Sequence, residues 1–151
     1  MSAAHALPLA LAAALLSTSA RADDPAPPIV GGSTTSDFEA VGSLVAISGS
    51  YGGSFCSGTL VHRGWVVTAA HCIAAIDEYE AEGYDVYFVT GTNIYSDTGW
   101  SDYALVRHAY AHPSYNDGTL ANDIGVLDLE TNINSTQPIP LNRNSPSSWT
   151  T

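Results

Sequence analysis

Between Ser43 and Leu129 the chain is built from short β-forming runs, each cut off by Gly, Ser, Asn or Asp before it can become long. The runs are Ser43 to Ser48, Ser54 to Val61, Trp65 to Thr68, Asp85 to Thr90, Tyr103 to Arg107 and Ile124 to Leu129. Short strands with frequent turns cannot build a parallel sheet, which needs long crossovers, and they suit an antiparallel barrel or sandwich. Helical periodicity is scarce. In its best stretch, Cys72 to Glu82, the acids Asp77, Glu78, Glu80 and Glu82 crowd together, so a single turn followed by a solvated loop is expected there. No solenoid repeat interrupts the pattern.

The 151 residues suffice for one domain with an apolar core but fall short of a two-barrel enzyme. Hydrophobic residues at 45% against 13% charged describe a folded chain. Fifteen acids face four arginines, Arg21, Arg63, Arg107 and Arg143, and no lysine; the net charge of −11 argues against nucleic acid and anionic membrane as partners. The apolar stretch Ala6 to Leu16, followed by Ala20-Arg21-Ala22, has the form of an export signal over residues 1–22, although its n-region lacks Lys and Arg. It is too short to span a bilayer. Asp23 to Pro28 is proline-rich and reads as a pro-segment over residues 23–28, with folded sequence starting near Ile29. In an oxidising compartment the only two cysteines, Cys56 and Cys72, favour a disulfide, worth roughly 3 kcal/mol in the chain-entropy treatment. Metal binding is the competing role, but two cysteines without a neighbouring ligand cluster make a poor zinc site. The tail from Asn132 to Thr151 is rich in Ser, Asn, Thr and Pro and reads as an extended crossing segment; the Asn134-Ser135-Thr136 pattern within it is expected to be a plain surface turn.

Acyl-transfer chemistry needs a nucleophile, a base and a carboxylate that orients the base, which makes the five histidines the starting point. His5 lies in the export signal, and His62, His108 and His112 sit at polar turns or strand ends where solvated or structural roles suffice. His71 has a different frame. An apolar run, Val66-Val67-Thr68-Ala69-Ala70, delivers it to a corner beside Cys72, where small alanines allow close backbone approach and a disulfide could pin the turn. That is a way to hold a general base as tightly as proton transfer requires, although a packed histidine at a strand end would have the same frame.

Four elements together resemble the chymotrypsin/trypsin family of serine endopeptidases: Ile29-Val30-Gly31-Gly32, Cys56-Ser57-Gly58-Thr59-Leu60, Thr68-Ala69-Ala70-His71-Cys72, and Asn122-Asp123-Ile124 with Val126 to Leu129 beyond. The resemblance runs from Ile29 to about Leu141. It implies an all-β fold, an antiparallel six-stranded Greek-key barrel that is the first of two, occupying residues 29–151 together with the start of the crossing segment. It implies His71 as general base, Asp123 as its orienting carboxylate, a Cys56 to Cys72 disulfide beside them, and Ile29 as the new N-terminus on activation. Polypeptide substrates are implied, with no cofactor or metal; nothing bears on oligomeric state. Asp117 and Asp128 lack the frame of Asp123 and are expected to be structural.

Two features depart from the family pattern. No Gly-Asp-Ser-Gly-Gly element occurs in the 151 residues, so the nucleophilic serine is expected beyond Thr151, and the chain alone is expected to be inactive. Pro28, rather than Arg or Lys, precedes Ile29, so trypsin-like processing at that bond is not expected. A non-catalytic secreted binding module derived from such a barrel is the alternative, and retention of both His71 and Asp123 speaks against it. N-terminal sequencing of exported protein is expected to read Asp23-Asp24-Pro25; a start inside the apolar run, or a retained Met1, would refute the signal assignment.

Overall fold

The computed structural model describes Thr35, residues 37–91, Asn93, Tyr95 and residues 100–144. The export signal, the pro-segment and Ile29 lie outside the described residues. Six strands and one helix follow in order: β1 Val41–Ser48, β2 Tyr51–His62, β3 Trp65–Thr68, α1 Ala70–Ala81, β4 Asp85–Gly91, β5 Trp100–Ala111 and β6 Gly125–Leu129. The strands close into an antiparallel barrel in the order β1-β2-β3-β6-β5-β4, with β4 pairing back onto β1. All six expected strands are present, β3 with the expected ends and the others displaced at one end or both.

The barrel closes around Phe88, which is fully buried with Leu44, Leu60, Val66, Val86 and Leu127. Its ring fits because two glycines face each other beside it. Gly42 of β1 pairs with Gly58 of β2. A Cβ on Gly42 would stand 2.5 Å from the Phe88 ring, and one on Gly58 would stand 2.6 Å from Val66. Any larger side chain at either position would displace a neighbour in a core packed as tightly as a crystal. At the β1–β2 turn Gly49 takes φ +60°, a conformation that L residues rarely adopt, and Ser48 pairs directly with Tyr51 across the two-residue loop.

Helix α1 corrects the expectation of a single turn. It runs for 12 residues, because Cys72, Ile73 and Ile76 bury one side in the barrel core while Asp77, Glu78 and Glu80 face solvent. The crowding of acids therefore marks a solvated face. Its C-terminus is closed by a feature visible in the sequence, Gly83 at φ +85°. The Gly83 amide donates to the Glu80 carbonyl and the Tyr84 amide to the Tyr79 carbonyl, while the Tyr79 and Tyr84 rings meet edge to face at 5.5 Å. This is the Schellman arrangement with its usual apolar contact.

Beyond β6 the tail crosses back over the barrel. The Ile133 amide donates to the Arg63 carbonyl and the Ile139 amide to the Leu60 carbonyl, and Ile133 is fully buried. The plain surface turn expected at Asn134-Ser135-Thr136 is only partly that: Asn134 and Ser135 are exposed, but Thr136 is buried with its hydroxyl 3.1 Å from that of Thr90. Asp102 fastens this turn. Its Oδ2 accepts the Asn134 amide at 2.9 Å, the Ser135 amide at 3.1 Å and the Ser135 hydroxyl at 3.0 Å. Asp128 pairs with Arg107 at 2.6 Å across β6 and β5, and Asp117 accepts the Tyr115 hydroxyl, so both have the structural partners expected of them.

The glycine pair makes the packing testable. Gly42→Ala is expected to destabilise by about 1–3 kcal/mol through overpacking against Phe88. Gly53→Ala, where a Cβ meets nothing within 4 Å, is expected to stay within about 0.5 kcal/mol of wild type. Urea denaturation of both variants measures the difference, and equal midpoints would contradict the role given to the glycine pair.

Candidate active site

Strand β3 ends at Thr68, whose hydroxyl donates to the Ser57 carbonyl at 2.8 Å, and the chain turns directly into α1 with Ala69 as N-cap. Alanine has no side chain able to accept the orphan amides of the first turn, and none of the first-turn residues is acidic. The missing acceptor comes from 52 residues away. Asp123 Oδ1 accepts the backbone amide of His71 at 2.9 Å, while Oδ2 lies 2.8 Å from His71 Nδ1. One carboxylate therefore caps the helix and holds the imidazole at the same time.

The loop that presents Asp123 is fixed on both sides. Asn122, at φ +57°, donates its side-chain amide to the Ser114 carbonyl at 2.9 Å, and left-handed backbone suits Asn better than most residues. The Ile124 amide donates back to the Asn122 carbonyl at 2.8 Å, and the His112 amide to the Ile124 carbonyl at 2.9 Å. On the helix side, Ile73 packs over Gly125, where a Cβ would stand 2.8 Å from the isoleucine. Glycine at the start of β6 thus lets α1 settle close enough for the carboxylate to reach its first turn. The disulfide completes the support: Cys56 and Cys72 are bonded with Cα atoms 6.1 Å apart, tying α1 to β2 one residue past His71. Both sulfurs are consumed in that bond, so the grouping of Cys56, His71 and Cys72 offers no thiolate to a cation.

The electrostatics follow from this geometry. The His71 amide, and after it the His71 ring, hold the Asp123 carboxyl below its ordinary value of 3.8; desolvation opposes them, and the charge of the ring and the Ala70 amide add smaller contributions in the same direction. An ionised carboxylate only accepts hydrogen bonds, so Nδ1 carries the proton in that contact and Nε2 of the neutral ring is left as an acceptor. His71 is 52% exposed against 21% for Asp123, which leaves the ring open to an incoming group. The other described histidines show no such pairing: His62 Nδ1 accepts the Gly64 amide, His112 Nδ1 accepts the Ser114 amide, and His108 packs beside Tyr110.

Sequence reasoning named His71, Asp123, Cys56 and Cys72, and the structure brings these four together; Ile29 lies outside the described residues. Gly125 escaped that reasoning, since nothing in its neighbours announces that a helix must pass over it.

A trypsin family model matches residues 29–151. Trypsin of Xenopus laevis is 32% identical over 103 residues, covering 68% of this chain and 38% of the relative; trypsin theta of Drosophila melanogaster is 31% identical over 111 residues, covering 74% and 39%. Clotting factor C of Tachypleus tridentatus is 34% identical over 95 residues, covering 57% of this chain and 9% of that protein. Among solved structures, one of GrC superposes with a TM-score of 0.53 at 26% identity, covering 71% of this chain and 45% of that one. The chain belongs to the trypsin family of serine proteases, and its closed six-stranded antiparallel barrel matches the trypsin-like fold. It spans less than half the length of each of these relatives.

Because the folded-state pKa of Asp123 is lowered, its contribution to stability is present above the unfolded carboxylate value and is lost as pH falls through the folded one. Thermal melts of wild type and Asp123→Asn are therefore expected to differ most near neutrality and to converge in acid. A carboxyl-carbon NMR titration should place the Asp123 midpoint below 3.8, and a midpoint at or above that value would overturn the capping role.

Proposed function

We propose that this barrel supplies the general base and its orienting carboxylate to a secreted serine-type endopeptidase, with the nucleophilic serine provided by sequence outside these residues. The observation that carries the reading is the double use of Asp123: Oδ2 at 2.8 Å from His71 Nδ1 and Oδ1 on the His71 amide. That arrangement fixes both the tautomer and the direction of the ring, the two properties a general base needs. The trypsin relatives and the export-type segment Ala6 to Leu16 support the reading.

In this mechanism the serine hydroxyl attacks the scissile carbonyl carbon as its proton passes to His71 Nε2. The tetrahedral intermediate collapses, the C–N bond breaks, and the same proton goes to the leaving amine. Water then attacks the acyl carbon, losing a proton to Nε2; the second tetrahedral intermediate collapses, the bond to the serine oxygen breaks, and Nε2 returns that proton to the serine as the new carboxyl terminus leaves. In each half-reaction Asp123 stabilises the transient imidazolium without itself taking up a proton. The substrate class is polypeptide, and no step calls for a metal or cofactor.

The test uses protein expressed from a complete coding sequence that contains this barrel. His71→Ala is expected to lower kcat/KM for a peptide substrate on the order of ten-thousandfold to a millionfold. Asp123→Asn is expected to lower kcat about ten-thousandfold, the loss known for this family's triad. The 151 residues alone are expected to hydrolyse neither peptide nor ester. Undiminished hydrolysis by His71→Ala would refute the assignment.

A further inference from the structure

We propose that Asn134 carries an N-linked glycan, anchored at the end of the barrel remote from His71. The proposal rests on the export reading of residues 1–22, because the transfer takes place in the secretory pathway. Asn134-Ser135-Thr136 satisfies the acceptor pattern, with no proline at its middle position. No other asparagine in the 151 residues has Ser or Thr two positions later, so the barrel offers a single acceptor. So short a pattern also arises by chance, and the fold is what distinguishes a usable site from an idle one.

The fold leaves room for the sugar where the sugar would attach. Asn134 is exposed, as are Asn132, Ser135 and Arg63 around it. A side-chain amide has two N–H donors and one carbonyl oxygen. Here Oδ1 accepts Arg63 Nη1 at 2.6 Å, and Nδ2 donates to the Asn132 carbonyl at 3.0 Å. A glycosylated amide keeps its oxygen and one N–H, so both contacts keep the groups they need. The backbone of the turn does not depend on that side chain, since Asp102 Oδ2 accepts the Asn134 and Ser135 amides at 2.9 and 3.1 Å. The point of attachment is therefore fixed while the attached group stands in solvent.

Thr136 sets the timing. The pattern requires its hydroxyl, yet in the folded barrel Thr136 is 4% exposed and its hydroxyl lies 3.1 Å from that of Thr90. The transfer therefore precedes the docking of Thr136 on Thr90. In it, Nδ2 attacks the anomeric carbon of a lipid-linked oligosaccharide pyrophosphate. The N–C bond forms, the C–O bond to the pyrophosphate breaks, and the amide gives up one proton. The position of the turn follows from the Ile133 amide, which donates to the Arg63 carbonyl. His71 lies beyond the opposite end of β3, a strand about 13 Å long.

The experiment expresses the complete coding sequence in a eukaryotic secretory host and maps peptides of the protein in the medium before and after peptide N-glycosidase. The Asn134 peptide is expected to carry a glycan and to leave the glycosidase with that asparagine converted to aspartate. Modification is expected to be lost in Thr136→Val and kept in Thr136→Ser, and Asn134→Gln is expected to lose one increment of gel shift. Because Asn134→Gln changes an exposed side chain alone, it carries the test even where Thr136→Val does not fold. Removing the glycan is expected to leave kcat/KM for a peptide substrate unchanged; a rise would put the sugar over His71 and overturn its placement. A parallel protein with residues 1–22 replaced by a host export signal separates the two failures. Unmodified Asn134 in that protein from the medium defeats the glycan alone. Retention of the native-leader protein in the cell, with Met1 intact, defeats the export reading and the glycan with it.

Discussion

The contact on which the rest of the site depends is a carboxylate placed at the start of a helix that cannot cap itself. Ala69 leaves the first amides of α1 without a side-chain acceptor, and Asp123 supplies one from the loop before β6. Because the capped residue is His71, an ordinary requirement of helix formation also fixes the base. The two carboxylate oxygens divide the work, one on the backbone and one on the ring. Rotation of the imidazole away from Asp123 would break only the second bond, so the first keeps the carboxylate in place for the ring to return.

That contact exists only because helix and loop can approach closely, and small residues make this possible. Gly125 admits Ile73 above the start of β6, while Gly42 and Gly58 admit Phe88 beneath the sheet. The disulfide adds a covalent limit on how far α1 can drift from β2. Gly125 and the disulfide act on the backbone near His71 and leave the imidazole itself half-exposed, so the base is positioned without being buried.

The sequence made the strands legible because period-two burial and turn residues are local signals; β3 could be read to its ends, since the Arg63-Gly64 turn marks its start and the β-branched run gives way to Ala69-Ala70 after Thr68. The helix was not legible from its acids. Asp77, Glu78, Glu80 and Glu82 blur the amphipathic pattern, and the residues that decide the matter, Cys72, Ile73 and Ile76, hold the helix only once the barrel core is there to bury them. Gly83 was the available signal, for a glycine after a run of helix-formers marks a C-terminus. The His71–Asp123 pairing was reached through motif resemblance, because no local rule links residues 52 positions apart. Asp102 had no motif at all, and its role appears only when the tail folds back over β5.

Asp102 and Asp123 share a physical design that sets how the barrel responds to acid. Burial raises the Asp102 carboxyl, but the amides of Asn134 and Ser135, the Ser135 hydroxyl and the Tyr103 amide outweigh it and leave the group below 3.8. Each carboxylate thus binds a distant backbone segment through amide donors, and each of those bonds is strongest while the acid is ionised. Lowered folded-state values mean that both contributions are complete above the unfolded carboxylate range and disappear as pH falls through the folded values. Acid would then release the turn at Asn134 and Ser135 and the first turn of α1 in the same interval, because the same chemistry holds both. The net charge of −11 acts the other way: protonation relieves repulsion among surface acids. The barrel is therefore expected to lose its site geometry in acid before it loses its core, since Phe88, Leu44 and Leu127 are packed by contacts that no proton alters.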